Sequence, residues 1–229
     1  MGVVKTNGLI FDVSSDKAIL MGLDKTVNID KNKELQVPTQ VEGKPVTEIA
    51  AGAFFQCSIK QWCLPATIGT IGSRAFGSSA VEKITFYATS AYPYKGTVYL
   101  GDRVFKRCKS LKTFSTMQKI AASELAFCSC NNLTTELYRH EMRFVKLERG
   151  ALAGCSKLEE IFVATGATLA DGAFQDSKIR KIHFDKNIFL NQSVLDFIKT
   201  ENVEIVTSSK SEIADLAYEG LNIEIVEEN

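Results

Sequence analysis

Five segments of the chain follow one pattern of apolar and polar positions. An apolar residue is followed by two variable residues, and then by an apolar, a variable and another apolar residue, except that the third segment ends in Thr116. The segments are 59–64, 81–86, 111–116, 158–163 and 179–184. Because the last four positions of each segment alternate with a period of two, the pattern predicts strands that bury one face and expose the other.

A three-residue phrase that ends in a bulky apolar residue recurs along the chain. Its copies are Gly52-Ala53-Phe54, Arg74-Ala75-Phe76, Arg103-Val104-Phe105, Leu125-Ala126-Phe127, Gly150-Ala151-Leu152 and Gly172-Ala173-Phe174. The closing residues 54, 76, 105, 127, 152 and 174 follow one another at steps of 22, 29, 22, 25 and 22 residues. A period of this size predicts a solenoid, in which stacked units shield one another's apolar faces. We expect one strand per coil in a parallel sheet, and an opposite side that is mostly irregular or carries short strands.

A small residue lies three positions after the closing residue of each phrase. These residues are Cys57, Ser79, Cys108, Cys130, Cys155 and Ser177. A position that accepts either Cys or Ser indicates a tight buried corner, and free Cys behaves there as a small apolar residue with a weak donor. The favoured interpretation is therefore a structural ladder of reduced thiols and hydroxyls, with disulfide bonds as the alternative.

The fourth repeat fits the strand pattern worst. Its segment, 133–138, places Glu136 where the other repeats have an apolar residue. Either this strand slips by one position and buries Leu137, or the sheet is locally distorted. A slip of one residue would exchange the two faces of the strand, so the register of this coil is left open.

Both ends of the chain have the character of caps, which a solenoid needs to cover its terminal apolar faces. The N-terminal part predicts a hairpin of 9–13 and 18–21, followed by a strand between Thr26 and Asp30. The C-terminal part predicts helices over 192–199 and 211–218 and strands over 202–206 and 222–226. We expect one domain in three parts: an N-terminal β-rich cap (1–45), six repeats (46–187) and a helix–strand C-terminal cap (188–229).

The repeats resemble those of a known family. The segments Ile71-Gly72-Ser73-Arg74-Ala75-Phe76 and 150–158 are similar to the BspA-like leucine-rich repeats of bacterial and protist surface proteins. The resemblance covers about residues 46–184. It implies a leucine-rich-repeat solenoid, a right-handed superhelix with helix in its C-terminal coils, and a role in adhesion or protein binding at the cell surface. The family has no catalytic motif that could be transferred to this chain.

Charge and hydropathy exclude some partners. Lys plus Arg and Asp plus Glu each total 27, so the formal net charge is zero, whereas binding to nucleic acid needs an excess of cations. No apolar run approaches the roughly 20 residues of a membrane span. No secretory leader is visible in residues 1–12, which leaves two locations open: the cell surface or the extracellular medium for a mature fragment, and the cytoplasm. We expect a protein partner and favour a monomer.

The variable positions of the predicted strands would form one exposed sheet face. The binding residues expected on it are Lys83, Thr85, Tyr87, Thr113, Ser115, Glu160, Phe162, Lys181, His183 and Asp185. Aromatic side chains anchor interfaces more often than Lys or Glu, so Tyr87, Phe162 and His183 are the preferred anchors. The alternative is that Phe162 fills a gap in a neighbouring coil and that Tyr87 covers the loop after it. A second candidate surface is the turn that carries Tyr92 and Tyr94, with a packed surface turn as its alternative.

No group of residues in the sequence predicts catalysis, a cofactor or a metal. Cys63 is the one cysteine expected on the exposed face outside the ladder, but His183 lies several coils away, too far to generate a thiolate. His140 is expected to be a surface residue, and Cys128-Ser129-Cys130 lacks the spacing of a zinc site. The sequence therefore predicts a non-catalytic protein-binding module, with an intracellular scaffold that uses the same face as the alternative.

Overall fold

The structure, a computed structural model, describes residues 2–135, 142–185, 190–207 and 221–225. It contains strands β1 to β17 and one helix, α1. The strands are, in order, Gly2–Thr6, Leu9–Val13, Ala18–Leu23, Glu34–Gln36, Gln40–Val41, Lys44–Ile49, Gln61–Pro65, Thr70–Ile71, Lys83–Tyr87, Thr97–Leu100, Thr113–Ser115, Lys119–Ala122, Arg143–Leu147, Glu160–Leu169, Lys181–Phe184, Glu204–Thr207 and Asn222–Ile225. Helix α1 spans Gln192–Glu201 and lies between β15 and β16.

Successive coils of the solenoid add strands to two sheets. The 4-stranded sheet has the order β11-β9-β7-β4, and all of its pairs are parallel. The 13-stranded sheet begins with the antiparallel strands β1, β2 and β3 and continues through β6, β8, β10, β12, β13, β14, β15, β16 and β17 in parallel. Its thirteenth strand, β5, pairs with β6 in antiparallel orientation. The predicted leucine-rich-repeat solenoid with parallel coils is therefore confirmed.

The opposite side of the coils carries the short strands that were expected there. Strands β8, β10 and β12 pair in parallel through Ile71, Leu100 and Ala122, and all three side chains point into the core. Strand β14 is long enough to belong to both sides. Its residue Phe162 pairs with Arg143 near one end, and Leu169 pairs with Leu147 near the other.

Every repeat phrase forms a tight turn with two left-handed residues. The first residue of each phrase and the residue four positions later both have positive φ angles between 54° and 69°. They are Gly52, Gln56, Arg74, Ser78, Arg103, Arg107, Leu125, Ser129, Gly150, Gly154, Gly172 and Asp176. Such a conformation costs a non-glycine residue about 1 kcal/mol, which the surrounding packing must offset.

The turns hydrogen-bond to one another along the solenoid axis. The amide of Phe54 donates to the carbonyl oxygen of Ala75 in the next coil, at 2.7 Å. The amides of Phe76 and Phe105 repeat this bond to Val104 at 2.9 Å and to Ala126 at 2.8 Å. The backbone of the turns is thus satisfied by the neighbouring coils, as buried amides must be.

The closing aromatic residues lie in a row through the core. Ring centroids are separated by 5.2 Å between Phe54 and Phe76, 5.4 Å between Phe76 and Phe105, and 5.1 Å between Phe105 and Phe127. Leu152 follows in the row, and Phe174 then lies 5.4 Å from Phe197 of α1. Phe76 and Phe105 therefore each bury their ring between the ring of the coil before and the ring of the coil after.

The ladder of small residues is buried as expected, with one exception at its start. Ser79, Cys108, Cys130, Cys155 and Ser177 are buried, whereas Cys57 in the first repeat is half-buried. All six cysteines are free thiols, which agrees with the reduced ladder and not with the disulfide alternative.

Most of the cap predictions that can be compared are confirmed. Strands β2 and β3 form the expected hairpin, and α1 begins after Asn191, whose side chain accepts a hydrogen bond from the amide of Val194. The expected strand between Thr26 and Asp30 is wrong: Asp24 Oδ1 accepts bonds from the amide and hydroxyl of Thr26, which turns the chain instead. Strands β16 and β17 lie at the predicted places.

Three sequence-based expectations fall on residues that lie outside the described ranges. They concern the register around Glu136 and Leu137, the surface position of His140, and the helix over 211–218. The division into two caps and six repeats remains a prediction.

Candidate functional site

The predicted binding face consists of two described patches. The N-terminal patch lies on β7 and β9 and comprises Gln61, Cys63, Lys83, Thr85 and Tyr87. The C-terminal patch comprises Glu160 and Phe162 of β14, Lys181 and His183 of β15, and Asp185 directly after β15; Arg143 of β13, which was not predicted, lies beside them. Between them lies the fourth coil, whose residues 136–141 are outside the described ranges.

Tyr87 is fixed in the N-terminal patch by its hydroxyl group. The hydroxyl donates to the carbonyl oxygen of Val37 at 2.7 Å, and the side chain is half-buried. Burial raises the pKa of Tyr87 above its ordinary value. The ring therefore covers the chain that follows β4, which agrees with the alternative of a covering residue while leaving part of the ring accessible.

The expectation that Thr113 and Ser115 are exposed is wrong. All three residues of β11 are buried, including Phe114, so both faces of this strand are covered. The alternation of apolar and polar residues predicts which side of a strand a residue faces, but it does not predict whether another segment covers that side. The accessible face therefore becomes narrower at β11.

An aromatic pair forms the centre of the C-terminal patch. Phe162 and His183 lie opposite each other on β14 and β15, and their rings are stacked with centroids 4.3 Å apart. Nε2 of His183 lies 3.1 Å from Oε2 of Glu160, so the imidazole is held from its edge as well as from its face. Both rings are half-buried and keep an accessible surface.

Ion pairs surround this aromatic pair. Arg143 lies 3.3 Å from Asp185, and Lys181 lies 2.9 Å from Glu204. The hydrogen bond between Lys181 and Glu204 raises the pKa of Lys181 and lowers the pKa of Glu204. Arg143 was not predicted, because β13 does not follow the strand pattern of the repeats, and only its pairing with β14 brings it to this face.

In the loop that carries Tyr92 and Tyr94, Tyr94 is anchored to the core and Tyr92 is accessible. The Tyr94 hydroxyl donates to the carbonyl oxygen of Phe86 at 2.5 Å, and its ring packs against the core. Tyr92 lines a cavity of about 350 Å³ together with Pro93, Lys95 and Gln118. The packed-turn alternative thus describes Tyr94, whereas Tyr92 remains a candidate contact residue.

The described residues contain no arrangement that activates Cys63. Burial raises the pKa of this half-buried thiol, which favours the neutral form and not the nucleophilic thiolate. Within the described part of the chain, no group of three or more His, Cys, Asp or Glu side chains could hold a metal ion. No helix among the described residues is long and apolar enough to cross a membrane.

Comparison with family models identifies the repeats. The model described as "BspA type Leucine rich repeat region (6 copies)" matches residues 33–142 and 89–204. The chain belongs to this family. The expected resemblance is therefore confirmed, and this repeat type is typically used for protein interaction and in surface proteins.

One solved structure shows the same fold, and a second is less similar. A leucine rich cell surface protein from Faecalibacterium prausnitzii A2-165 matches with a TM-score of 0.60 and 18% identity, over 92% of this chain and 56% of that one. A T. pallidum leucine rich repeat protein matches with a TM-score of 0.49 and 15% identity, over 98% of this chain and 83% of that one. The BspA-type chain thus spans little more than half of the first of these structures. No curated protein sequence matches it significantly.

Proposed function

We propose that this BspA-type repeat chain is a non-catalytic protein-binding module of the cell surface and that it binds its partner through the sheet face. The observation that carries the proposal is the stacked pair of Phe162 and His183 inside a rim of ion pairs. Protein interfaces have this organisation, with aromatic anchors near the centre and polar groups around them.

The geometry of the patch favours binding without rearrangement. Glu160 holds His183, and Asp185 holds Arg143, so these side chains are already ordered before a partner arrives. Ordering side chains on binding costs roughly 0.5–1.5 kcal/mol for each flexible residue, and a preorganised face avoids part of that cost. Tyr87 and Tyr92 are the further residues that we expect to contact the partner.

The surface location has one supporting observation, and the alternative has another. The F. prausnitzii structure of the same fold is described as a cell surface protein, which supports a role at the surface. All six cysteines are unpaired, which suits a reducing compartment and supports an intracellular scaffold as the second candidate.

The binding face is tested with purified proteins. Candidate partners are first captured on the immobilised chain and then purified, and their affinities are measured for the wild type, for Phe162→Ala/His183→Ala and for Tyr99→Ala. Tyr99 is the matched control, because it is an exposed aromatic residue of β10 outside the sheet face. We expect Kd to rise roughly tenfold or more for the double variant, as for a central anchor, and to stay unchanged for the control.

Partners that bind the double variant as tightly as the wild type would refute the sheet face as the binding surface. The compartment needs a separate measurement, in which intact cells that express the native protein are treated with protease. Loss of the protein supports the surface module, and complete protection supports the scaffold.

A further inference from the structure

A cationic pocket lies on the turn side of the first three repeats. It has a volume of about 240 Å³, and its lining contains no carboxylate. The lining residues are Phe55, Arg74, Gly77, Ser78, Arg103, Lys106 and Arg107. None of them belongs to the sheet face, so the pocket is a separate surface.

The four cations of this pocket are not neutralised by salt bridges from the described residues. Arg74, Arg103, Lys106 and Arg107 form no ion pair with the described residues. The carboxylate of Glu124, in the next coil, is bound to Arg149 at 2.6 Å. That hydrogen bond lowers the pKa of Glu124, and the charges of Arg103 and Lys106 contribute further. A chain of zero net charge therefore concentrates uncompensated positive charge at one place.

The repeat geometry fixes the positions of these cations. Arg74 and Arg103 are the first residues of consecutive phrases, and both have left-handed backbone conformations with φ of 57°. The amide of Arg74 donates to the carbonyl oxygen of Asp102, so the two coils are adjacent at the spacing of about 4.8 Å between neighbouring strands. The guanidinium groups consequently start from equivalent, rigid points one coil apart.

An accessible phenyl ring forms one wall of the pocket. Phe55 is 50% exposed, and its ring lies against the backbone of Gly77, where an added Cβ would come within 3.2 Å of Cδ2. The backbone amides of the wall are already used. The amides of Phe55 and Gln56 donate to the carbonyl oxygens of Gly52 and Gly77, respectively. The amides of Ser78 and Arg107 donate to the carbonyl oxygens of Lys106 and Cys128, respectively. A ligand must therefore be recognised by the guanidinium and ammonium groups and by the flat apolar ring, and not by strand addition.

From this arrangement we propose that the pocket binds an acidic oligosaccharide, one whose sugar rings bear carboxylate or sulfate groups. The planar guanidinium fork forms paired charge-assisted hydrogen bonds with such oxyanions, and Lys106 adds a point charge. The phenyl ring of Phe55 packs against the apolar face of a sugar ring. A duplex nucleic acid fits less well, since its affinity depends on many cations along the backbone, and four are present here.

Direct titration tests the site with three hexasaccharides: one carboxylated, one sulfated and one neutral. The full chain is compared with Arg103→Gln/Arg107→Gln, with Phe55→Ala and with the control Lys31→Gln/Lys33→Gln, which removes two exposed cations elsewhere. We expect an acidic hexasaccharide to bind, the neutral one not to bind, and Kd to rise roughly tenfold or more for the arginine variant. Phe55→Ala is expected to weaken binding by a factor that does not change with salt, whereas the arginine contribution decreases as salt increases.

The carboxylated and sulfated arms identify which oxyanion the pocket prefers. Equal binding by the arginine variant and the lysine control would overturn the proposal, as would the absence of binding by either acidic sugar. Tighter binding of a glutamate hexapeptide or of duplex DNA would also overturn it. The variant Phe162→Ala/His183→Ala must bind the sugar normally, which separates this test from that of the sheet face.

Discussion

The thiol of Cys130 donates a hydrogen bond to the carbonyl oxygen of Phe105, 3.1 Å away and one coil earlier. Cys108 makes the same bond to Phe76 at 2.9 Å, and Cys155 makes it to Phe127 at 3.2 Å. The small residue of each of these coils is therefore both a packing element and a link to the aromatic residue that closes the coil before it.

This bond predicts different outcomes for two substitutions at Cys130. Cys130→Ser keeps a small donor, and Ser79 and Ser177 occupy the equivalent buried position in other coils, so we expect a loss of less than about 1 kcal/mol. Cys130→Val removes the donor and adds bulk at a buried corner, so the free energy of unfolding should decrease by about 1–3 kcal/mol. Urea denaturation measures both. Cys128→Val at a half-buried position is the control, and equal effects of Ser and Val at position 130 would contradict the role of the bond.

Buried thiols also predict how stability depends on pH. Burial raises the pKa of Cys155 from 9.0 to about 12, and it raises that of Cys130 in the same direction. The fold favours the neutral thiol, whereas the unfolded chain ionises near its ordinary pKa. The neutral thiol of Cys155 therefore makes its full contribution to the free energy of unfolding below pH 9. This contribution is lost as the pH rises to about 12, at a rate of at most about 1.4 kcal/mol per pH unit.

Urea midpoints at pH 8, 9, 10 and 11 test this dependence. Lysine and tyrosine side chains titrate in the same range, so the informative quantity is the difference between the wild type and Cys155→Ser. We expect the serine variant to lose less stability between pH 9 and pH 11. Parallel curves for the two proteins would show that this thiol does not titrate differently in the folded state.

Alanine substitutions at two glycines compare the cost of a left-handed backbone alone with its cost when a neighbouring side chain is also close. Gly52 and Gly150 occupy the same position of the phrase, with φ of 67° and 64°. A Cβ at position 52 meets nothing within 4 Å, whereas one at position 150 lies 2.6 Å from Cδ2 of Leu125. We therefore expect Gly52→Ala to cost about 1 kcal/mol from the backbone alone, and Gly150→Ala to cost only slightly more, because Cδ2 of Leu125 is the end of a half-buried, flexible side chain that can move aside.

Thermal unfolding of both variants gives the comparison. Gly69→Ala is the control, because Gly69 has open space around it and no positive φ. A stability of Gly52→Ala equal to that of the wild type would contradict the left-handed turn.

Substitutions of Phe105 measure how much the row of aromatic rings stabilises the fold. It is fully buried and stacks on both Phe76 and Phe127. We expect Phe105→Ala to lower the free energy of unfolding by about 3–5 kcal/mol through the cavity it leaves. Phe105→Leu should lower it much less, since Leu152 fills the equivalent place in another coil. Denaturation midpoints that fall equally for both variants would contradict this interpretation.

The sequence predicts the repeats well because one physical constraint recurs in every coil. Phe54, Phe76 and Phe105 are each buried because the next coil covers them. The period of the phrase therefore equals the length of one stacked coil. The strand pattern predicts β7, β9, β11, β14 and β15 for the same reason, since the inward residues alternate with outward ones.

Other features depend on contacts that no local pattern encodes. The sequence shows that Thr113 and Ser115 face outward, but their burial depends on what covers β11. Arg143 reaches the binding face only because β13 pairs with β14. The cationic pocket could have been noticed, because Arg74 and Arg103 begin consecutive phrases, yet a lining without carboxylates is visible only in three dimensions.

Hydrogen exchange of single backbone amides tests the central claim, that each coil is buried and bonded by the next. The amides of Phe76, Phe105 and Phe127 donate to carbonyl oxygens of the following coil. We predict that these three amides exchange only through large-scale unfolding, orders of magnitude more slowly than those of the exposed residues Lys25 and Lys31. Exchange of the phenylalanine amides at the rate of the two lysines would contradict the stacked solenoid.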